Sequence, residues 1–371
     1  MKVVVIRGNL KEALGVMERV GGDNLKLPIL KYAVFEVFDD KSKLTATNLE
    51  MAVSYYVPGK TIEKGKTSVP IATFSSLISN LQSERLNLEK KGSQLEVKTD
   101  NYEAATQTLP VDDFPIIPRV KNEEDYLEIE SGNLKGALAQ VVVATQFSEL
   151  RSELNSVLFD FTLDTLRLVG TDSFRLAERA IAATQFKSNY SQGFKFLIPL
   201  KTCHELLRIF KDEEEVKIYH DQNQVLFKTA QWELISRLVD GNFPDYAAVV
   251  PKEFASEVVT DRERLLNALK LAGVFSNQTN EIKIKPASGE KALEIYSASQ
   301  EIGENRYLLP AKVKGAFQEV NFNWRYLADG LKALKTEEVF LGINEQDNRP
   351  TLIKSPHEAS YFYILMPILK T

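Results

Sequence analysis

The chain has 371 residues, 44% of them hydrophobic, with a single cysteine and a net charge of −5 at pH 7. That supports two or three domains with real cores, whereas no apolar run approaches the ~18 residues of a membrane span. Cys203 alone excludes an internal disulfide or a thiolate metal site and suits a reducing cytoplasm, and the acidic total argues mildly against a nucleic-acid partner.

Met1–Arg7 is too short and too soon charged for a signal peptide and reads as a strand. A helix follows from Asn9-Leu10-Lys11-Glu12-Ala13-Leu14 and ends near Val20. Val34–Phe38 and Leu44–Ala46 predict strands across the turn Asp39-Asp40-Lys41-Ser42. Val69-Pro70-Ile71 opens a second helix that runs to Gln82, because Ile71, Phe74, Leu77, Ile78 and Leu81 keep helical spacing. Thr108-Leu109-Pro110 and Phe114-Pro115 close this stretch, and Pro115–Tyr126 is a connector.

The same order then returns. Strand Leu127–Ile129 leads into Asn133-Leu134-Lys135-Gly136-Ala137-Leu138, a helix ending near Thr145. Strands Val157–Phe161 and Leu166–Val169 precede Ile198-Pro199-Leu200-Lys201, whose helix reaches Lys211 on Cys203, Leu206, Leu207 and Phe210. Leu238-Val239 and Phe243-Pro244 close it, and Pro244–Glu257 connects onward. A third time, Val258–Val259 leads into Arg264-Leu265-Leu266-Asn267-Ala268-Leu269, ending near Phe275, followed by strand Leu293–Tyr296. Phe322-Asn323-Trp324-Arg325 starts a helix to Lys335 on Leu327, Leu331 and Leu334, Tyr361–Ile368 reads as a buried or edge strand, and Leu365-Met366-Pro367 repeats the closing pattern.

The first helices are offset by 124 and 131 residues and the second helices by 129 and 124. Such a period is too long for a solenoid and makes whole domains, expected at 1–121, 122–252 and 253–371. Two helices among about eight strands in each copy predict an α+β layer arrangement on antiparallel sheets.

The second helices also align in charge. Lys201, His204, Arg208 and Lys211 share one helix face; their counterparts are Arg325, Ala328, Lys332 and Lys335, and in the first copy Ala72, Ser75, Ser79 and Gln82. None of these positions is acidic, so a basic stripe recurs in an acidic protein. The first helices add Lys11, Arg19, Lys135, Arg264 and Lys270, with Glu12 and Glu18 interleaved. A solvated helix face is the plain alternative; the functional reading is a positive lining for a polyanion, sequence-independent and salt-sensitive.

Catalytic patterns fail on spacing. Gly65-Lys66-Thr67 resembles a P-loop end, but Gly59 stands one residue too far upstream and Pro70 intervenes. Asp39-Asp40 and Asp112-Asp113 sit in turn-like segments with no nearby histidine, and His204, His220 and His357 accompany no nucleophile. No catalytic residue, metal or cofactor is expected.

Over essentially its whole length the chain resembles the β subunit of bacterial DNA polymerase III, the sliding-clamp family. The segments that carry this are Leu27-Pro28-Ile29-Leu30, Thr47-Asn48-Leu49-Glu50-Met51, Leu109-Pro110 with Asp113-Phe114-Pro115, and Ala144-Thr145-Gln146-Phe147-Ser148. Further on stand Gly170-Thr171-Asp172-Ser173-Phe174-Arg175-Leu176-Ala177, Leu238-Val239-Asp240-Gly241-Asn242-Phe243-Pro244-Asp245-Tyr246, Phe322-Asn323 with Tyr326, and Met366-Pro367-Ile368.

The resemblance implies three clamp domains per chain and a head-to-tail homodimer closing a ring around duplex DNA, with twelve helices lining the hole. It implies a non-catalytic processivity factor in the cytoplasm, associated with the nucleoid, with no membrane partner. Its partners would be the DNA polymerase III alpha subunit, the clamp loader delta subunit and other proteins with clamp-binding motifs. Their docking groove, between the second and third domains, would use Leu154, Thr171, Ser173, Phe174, Arg175, Leu176, Pro244, Val249, Asn323, Tyr326, Met366, Pro367 and Ile368. DNA would face Lys11, Lys135, Lys201, His204, Arg208, Lys211, Arg325, Lys332 and Lys335, and the dimer seam would hold Ala104, Thr106, Val274 and Phe275.

The chain departs from the family where Ser173-Phe174 replaces Gly followed by His or Tyr, where Ala248 replaces a frequent Arg, and where the end runs Ile368-Leu369-Lys370-Thr371. Ala104 and Thr106 are less apolar than a tight seam calls for. Two readings from other classes stand beside the clamp: a nucleic-acid-processing enzyme with basic helices, and a peptide-binding scaffold that does not touch DNA.

Overall fold

The computed structural model describes residues 1–22, 26–148, 150–287, 291–344 and 349–369. Lys370 and Thr371, part of the altered end, lie outside the described residues. Six α-helices stand among twenty-five strands there: α1 (Arg7–Val20), α2 (Ile71–Asn80), α3 (Ser131–Val142), α4 (Leu200–Ile209), α5 (Arg262–Val274) and α6 (Trp324–Ala333).

The helices form where apolar residues recur every third or fourth position. Leu10, Ala13, Leu14 and Met17 of α1 are fully buried, as are Leu265, Ala268, Leu269 and Ala272 of α5. Asp261 caps α5 by accepting from Arg264 N–H at 2.7 Å, and Asn323 caps α6 by accepting from Arg325 N–H at 3.0 Å. α3 ends three residues before the expected Thr145: the chain turns there, with Ala144 N–H on Val141 O and Thr145 Oγ1 donating to Val142 O.

The chain gathers into two compact units. The first holds residues 1–132, 187–190 and 204–238, and its strands make one thirteen-stranded sheet; the second holds the rest, with a twelve-stranded sheet. The middle copy of the sequence repeat therefore gives strands to both sheets. In the first unit Trp232–Arg237 pairs antiparallel with Met51–Glu63, placing Ile235 opposite Ala52. In the second, Tyr361–Leu365 pairs antiparallel with Arg175–Ala182, placing Ile364 opposite Leu176. Each junction seats a strand from the end of one copy against the copy before it.

The terminal strand stops at Leu365, short of the expected Ile368, because Pro367 has no N–H to continue a ladder. The chain runs on held by Met366 N–H on Phe174 O at 2.9 Å and Ile368 N–H on Asn321 O at 2.8 Å. Gly330 lets α6 lie directly on this strand: a Cβ there would stand 2.6 Å from the Tyr363 ring.

Candidate partner groove and nucleic-acid interface

The groove is built on the turn between two strands, Thr165–Thr171 and Arg175–Ala182. Asp172, its side chain 2% exposed, accepts at Oδ1 from the N–H groups of Phe174 (2.9 Å) and Arg175 (3.0 Å). Its Oδ2 accepts from Arg175 Nε at 2.9 Å. Thr171 Oγ1 donates to Arg175 O at 2.8 Å, and the turn forces Ser173 to φ 77°, in the left-handed region.

The Arg175 guanidinium is held on three sides. Nη1 donates to Asp329 Oδ2 on α6 at 2.8 Å, and the group lies 4.1 Å from the centroid of the Tyr326 ring. Tyr363 OH donates to the backbone carbonyl of Tyr326 at 2.9 Å. Arg175 is thus a neutralised wall, not a free cation.

Beside this turn opens a cleft of about 230 Å³. Eight of the thirteen expected groove residues line it: Thr171, Ser173, Phe174, Arg175, Leu176, Pro244, Val249 and Met366. Phe174 is 60% and Val249 49% exposed, so their apolar surface is available. The other five do not line it. Leu154 is buried, Asn323 caps α6, Tyr326 packs on Arg175, and Pro367 and Ile368 continue half-buried past the strand end.

Asp245, Tyr246 and Ile364 line the cleft without having been expected. Asp245 and Tyr246 directly follow Phe243-Pro244, and Ile364 alternates with Met366 on one strand, so the signal was present. Tyr246 stays protonated, since burial and then Glu178 push its phenol up. Arg151, also missed, donates from Nη1 to Ser173 Oγ at 3.2 Å; the exposed Ala248 supplies no guanidinium.

The cationic positions are less uniform than the sequence pattern. Lys11, Lys201, Arg208, Arg325 and Lys335 are exposed, and Lys135 is half-buried. Burial, then the charge of Arg208, lowers the pKa of His204 and so favours its neutral form, weakening its part in the stripe. Lys211 lies beyond the end of α4, ion-paired to Glu12 at 2.5 Å and donating to Gln231 Oε1 at 2.7 Å. Lys332 pairs with Asp329 at 3.4 Å. Ala328 is 2% and Ser75 7% exposed, so in α6 and α2 this face dips into the core. Glu205, also on α4, is buried against Arg19 at 2.8 Å; burial raises its pKa against the pull of that arginine.

At the expected seam, Glu103–Gln107 is, among the described residues, the last strand of its sheet and pairs with Gln94–Lys98. Thr106 is turned inward at 9% exposure and Ala104 is half-buried, while Ala105 and Gln107 face out. Val274 is 61% exposed and Phe275 half-buried. Among the described residues no group of three or more His, Cys, Asp or Glu side chains stands close enough to hold a metal ion, and no helix is long and apolar enough to cross a membrane.

Like copies joined by strand pairing, with cationic helix positions and an apolar surface cleft, define a binding protein built from repeats. Three family models match in succession: the DNA polymerase III beta subunit N-terminal domain over residues 1–118, its central domain over 128–245 and its C-terminal domain over 247–369. The beta sliding clamp of Chlamydia pneumoniae is 28% identical over 370 residues, 99% of each chain. The solved DNA polymerase III beta subunit of Pseudomonas aeruginosa matches all of both chains at TM-score 0.93 and 25% identity. That of Thermotoga maritima does so at 0.90 and 26%. The chain belongs to the DNA polymerase III beta subunit family, the beta sliding clamps, and acts as a non-catalytic clamp in DNA replication.

Proposed function

We propose that two copies of this chain join head to tail into a ring that encircles duplex DNA and carries partner proteins on the cleft beside Thr171–Leu176. Each chain supplies three domains, 1–121, 122–252 and 253–371. Lys11, Lys135, Lys201, Arg208, Arg325, Lys332 and Lys335 face the phosphates. The seam brings the strand Glu103–Gln107 against Val274 and Phe275 of the other copy. Topological linkage explains how an acidic protein keeps DNA: only the lining has to suit phosphates, and those contacts carry no base information. The docked partners are the DNA polymerase III alpha subunit, the clamp loader delta subunit and other proteins with short clamp-binding motifs, in the cytoplasm at the nucleoid.

The observation that carries the docking reading is the gathering of eight carried-over residues on one apolar cleft whose lining cation, Arg175, is already neutralised. Apolar side chains of a short linear motif fill such a site. A labelled peptide from the replicative polymerase's clamp-binding segment is expected to bind, and Met366→Asp to weaken it at least about tenfold, a change of ~1.4 kcal/mol. Equal binding to both proteins would remove the cleft from the docking site. Sedimentation is expected to give twice the 41.9 kDa chain mass; a monomer at all concentrations would remove the ring.

A further inference from the structure

The first unit carries a second, larger cleft that the clamp reading leaves without a role. It has a volume of about 520 Å³ and lies between one face of the sheet and the connector, residues 111–123. The connector arches over the sheet and is tied at both feet. At one, Leu109 N–H donates to Ser68 Oγ at 2.7 Å and Ser68 Oγ donates to Leu109 O at 2.8 Å. At the other, Gln224 Nε2 donates to Arg119 O at 2.5 Å, Lys121 N–H donates to Asp221 Oδ2 at 3.3 Å, and Val120 is buried. Between the feet Ile116 stands 95% exposed.

The floor is apolar, with Ala52, Leu226 and Ile235 beneath Val120 and Ile117. The walls are charged. Lys43 pairs with Glu36 at 3.5 Å, and Lys228 pairs with Glu123 at 3.0 Å and Glu233 at 3.4 Å. Two further lining cations, Lys66 and Arg119, are exposed and make no ion pair among the described residues. Four cations therefore meet three carboxylates, a local excess opposite in sign to the net charge of −5.

We propose that this cleft docks an extended acidic peptide, with apolar side chains on the floor and carboxylates on Lys66 and Arg119. Its size suits several residues of chain better than a lone small anion, pockets of ~300–1,000 Å³ being those that enclose ligands of that bulk. The apolar floor between charged walls matches alternating side chains of an extended strand, one set down and one set out. Lys66 and Arg119 give the docked carboxylates charge-assisted partners with no internal pair to break first. The chemistry of this cleft stands apart from whether the cleft beside Thr171 takes peptides.

The probe is a fluorescein-labelled peptide of about eight alternating glutamate and leucine residues, titrated by anisotropy into the full-length protein. Saturable binding is expected, weakened about tenfold by Lys66→Glu combined with Arg119→Glu and weakened by raising salt. Both positions are exposed, so the fold is kept, with an unchanged melting temperature as its check. Met366→Asp is expected to leave this binding unchanged, and hydrogen exchange on peptide addition to slow in 111–121 and 226–235. Lysine in place of glutamate in the peptide is expected to abolish binding. The inference is overturned by no saturable binding, by binding indifferent to the double charge reversal, or by loss in Met366→Asp with protection falling on 171–176.

Discussion

The turns Thr47–Met51 and Thr171–Arg175 are the same backbone device used in two ways. Leu49 and Ser173 both take left-handed φ, 76° and 77°. In both, the leading threonine hydroxyl donates to the carbonyl four residues on, and the next side chain accepts from two backbone N–H groups. Each is followed by a strand paired with one from the end of the next copy. What differs is what the side chains do. Asn48 ends at its two N–H bonds, whereas Asp172 also anchors Arg175 and, through it, α6. The faces below diverge likewise. In the second unit Phe243, Tyr246, Phe254, Phe340 and Phe362 pack on an apolar cluster; on the corresponding cluster of the first, among the described residues, Ile117 and Tyr126 do, and lysines and glutamates stand where the cover is open. Repeated backbone with unequal side chains gives one molecule two clefts of different chemistry.

The largest test of that comparison is stability. Asp172→Ala strips a buried carboxylate from three donors and is expected to cost about 3 kcal/mol in denaturant unfolding. Asn48→Ala, at the half-buried counterpart, is expected to cost about 1 kcal/mol. Equal losses would mean that the second turn is no more deeply integrated than the first. Next, Ser173→Gly and Leu49→Gly each relieve left-handed strain and are expected to stabilise by up to about 1 kcal/mol. A gain at one site alone would show that the two backbones are not equivalent in solution.

Smaller still is the effect on DNA. Lys201→Ala is expected to reduce the salt slope of DNA retention by about one counterion, and His204→Gln to leave it unchanged at pH 7.5. The sign follows from the lowered His204 pKa. As pH falls through the ordinary histidine range the unfolded chain takes up a proton before folded His204 does, so the fold loses stability on acidification. His204→Gln is expected to remove a share of that loss. An equal fall in slope for both variants at pH 7.5 would make His204 a cation after all.

Much of this was legible in the sequence, because periodicity and the recurring turn motifs are local. The helices begin where Pro70, Pro199 and Asn323 predict, and Thr171 and Ser173 to Leu176, quoted from one short motif, line one cleft. What was not legible depends on partners far away in the chain. Lys211 looked like part of a basic stripe until Glu12 and Gln231 met it. Ala328 held a stripe position by spacing, yet its side of α6 is packed. The splitting of the middle copy between two sheets, and the charged cleft under residues 111–123, follow from strand pairing that no single-copy pattern encodes.

The central claim is topological, and retention on circular DNA tests it most directly. Loaded by a clamp loader on a nicked circle, the protein is expected to stay bound in moderate salt and to leave within moments of a cut that linearises the circle. Retention unchanged by linearisation would contradict the ring and return the basic helix positions to ordinary solvated surface.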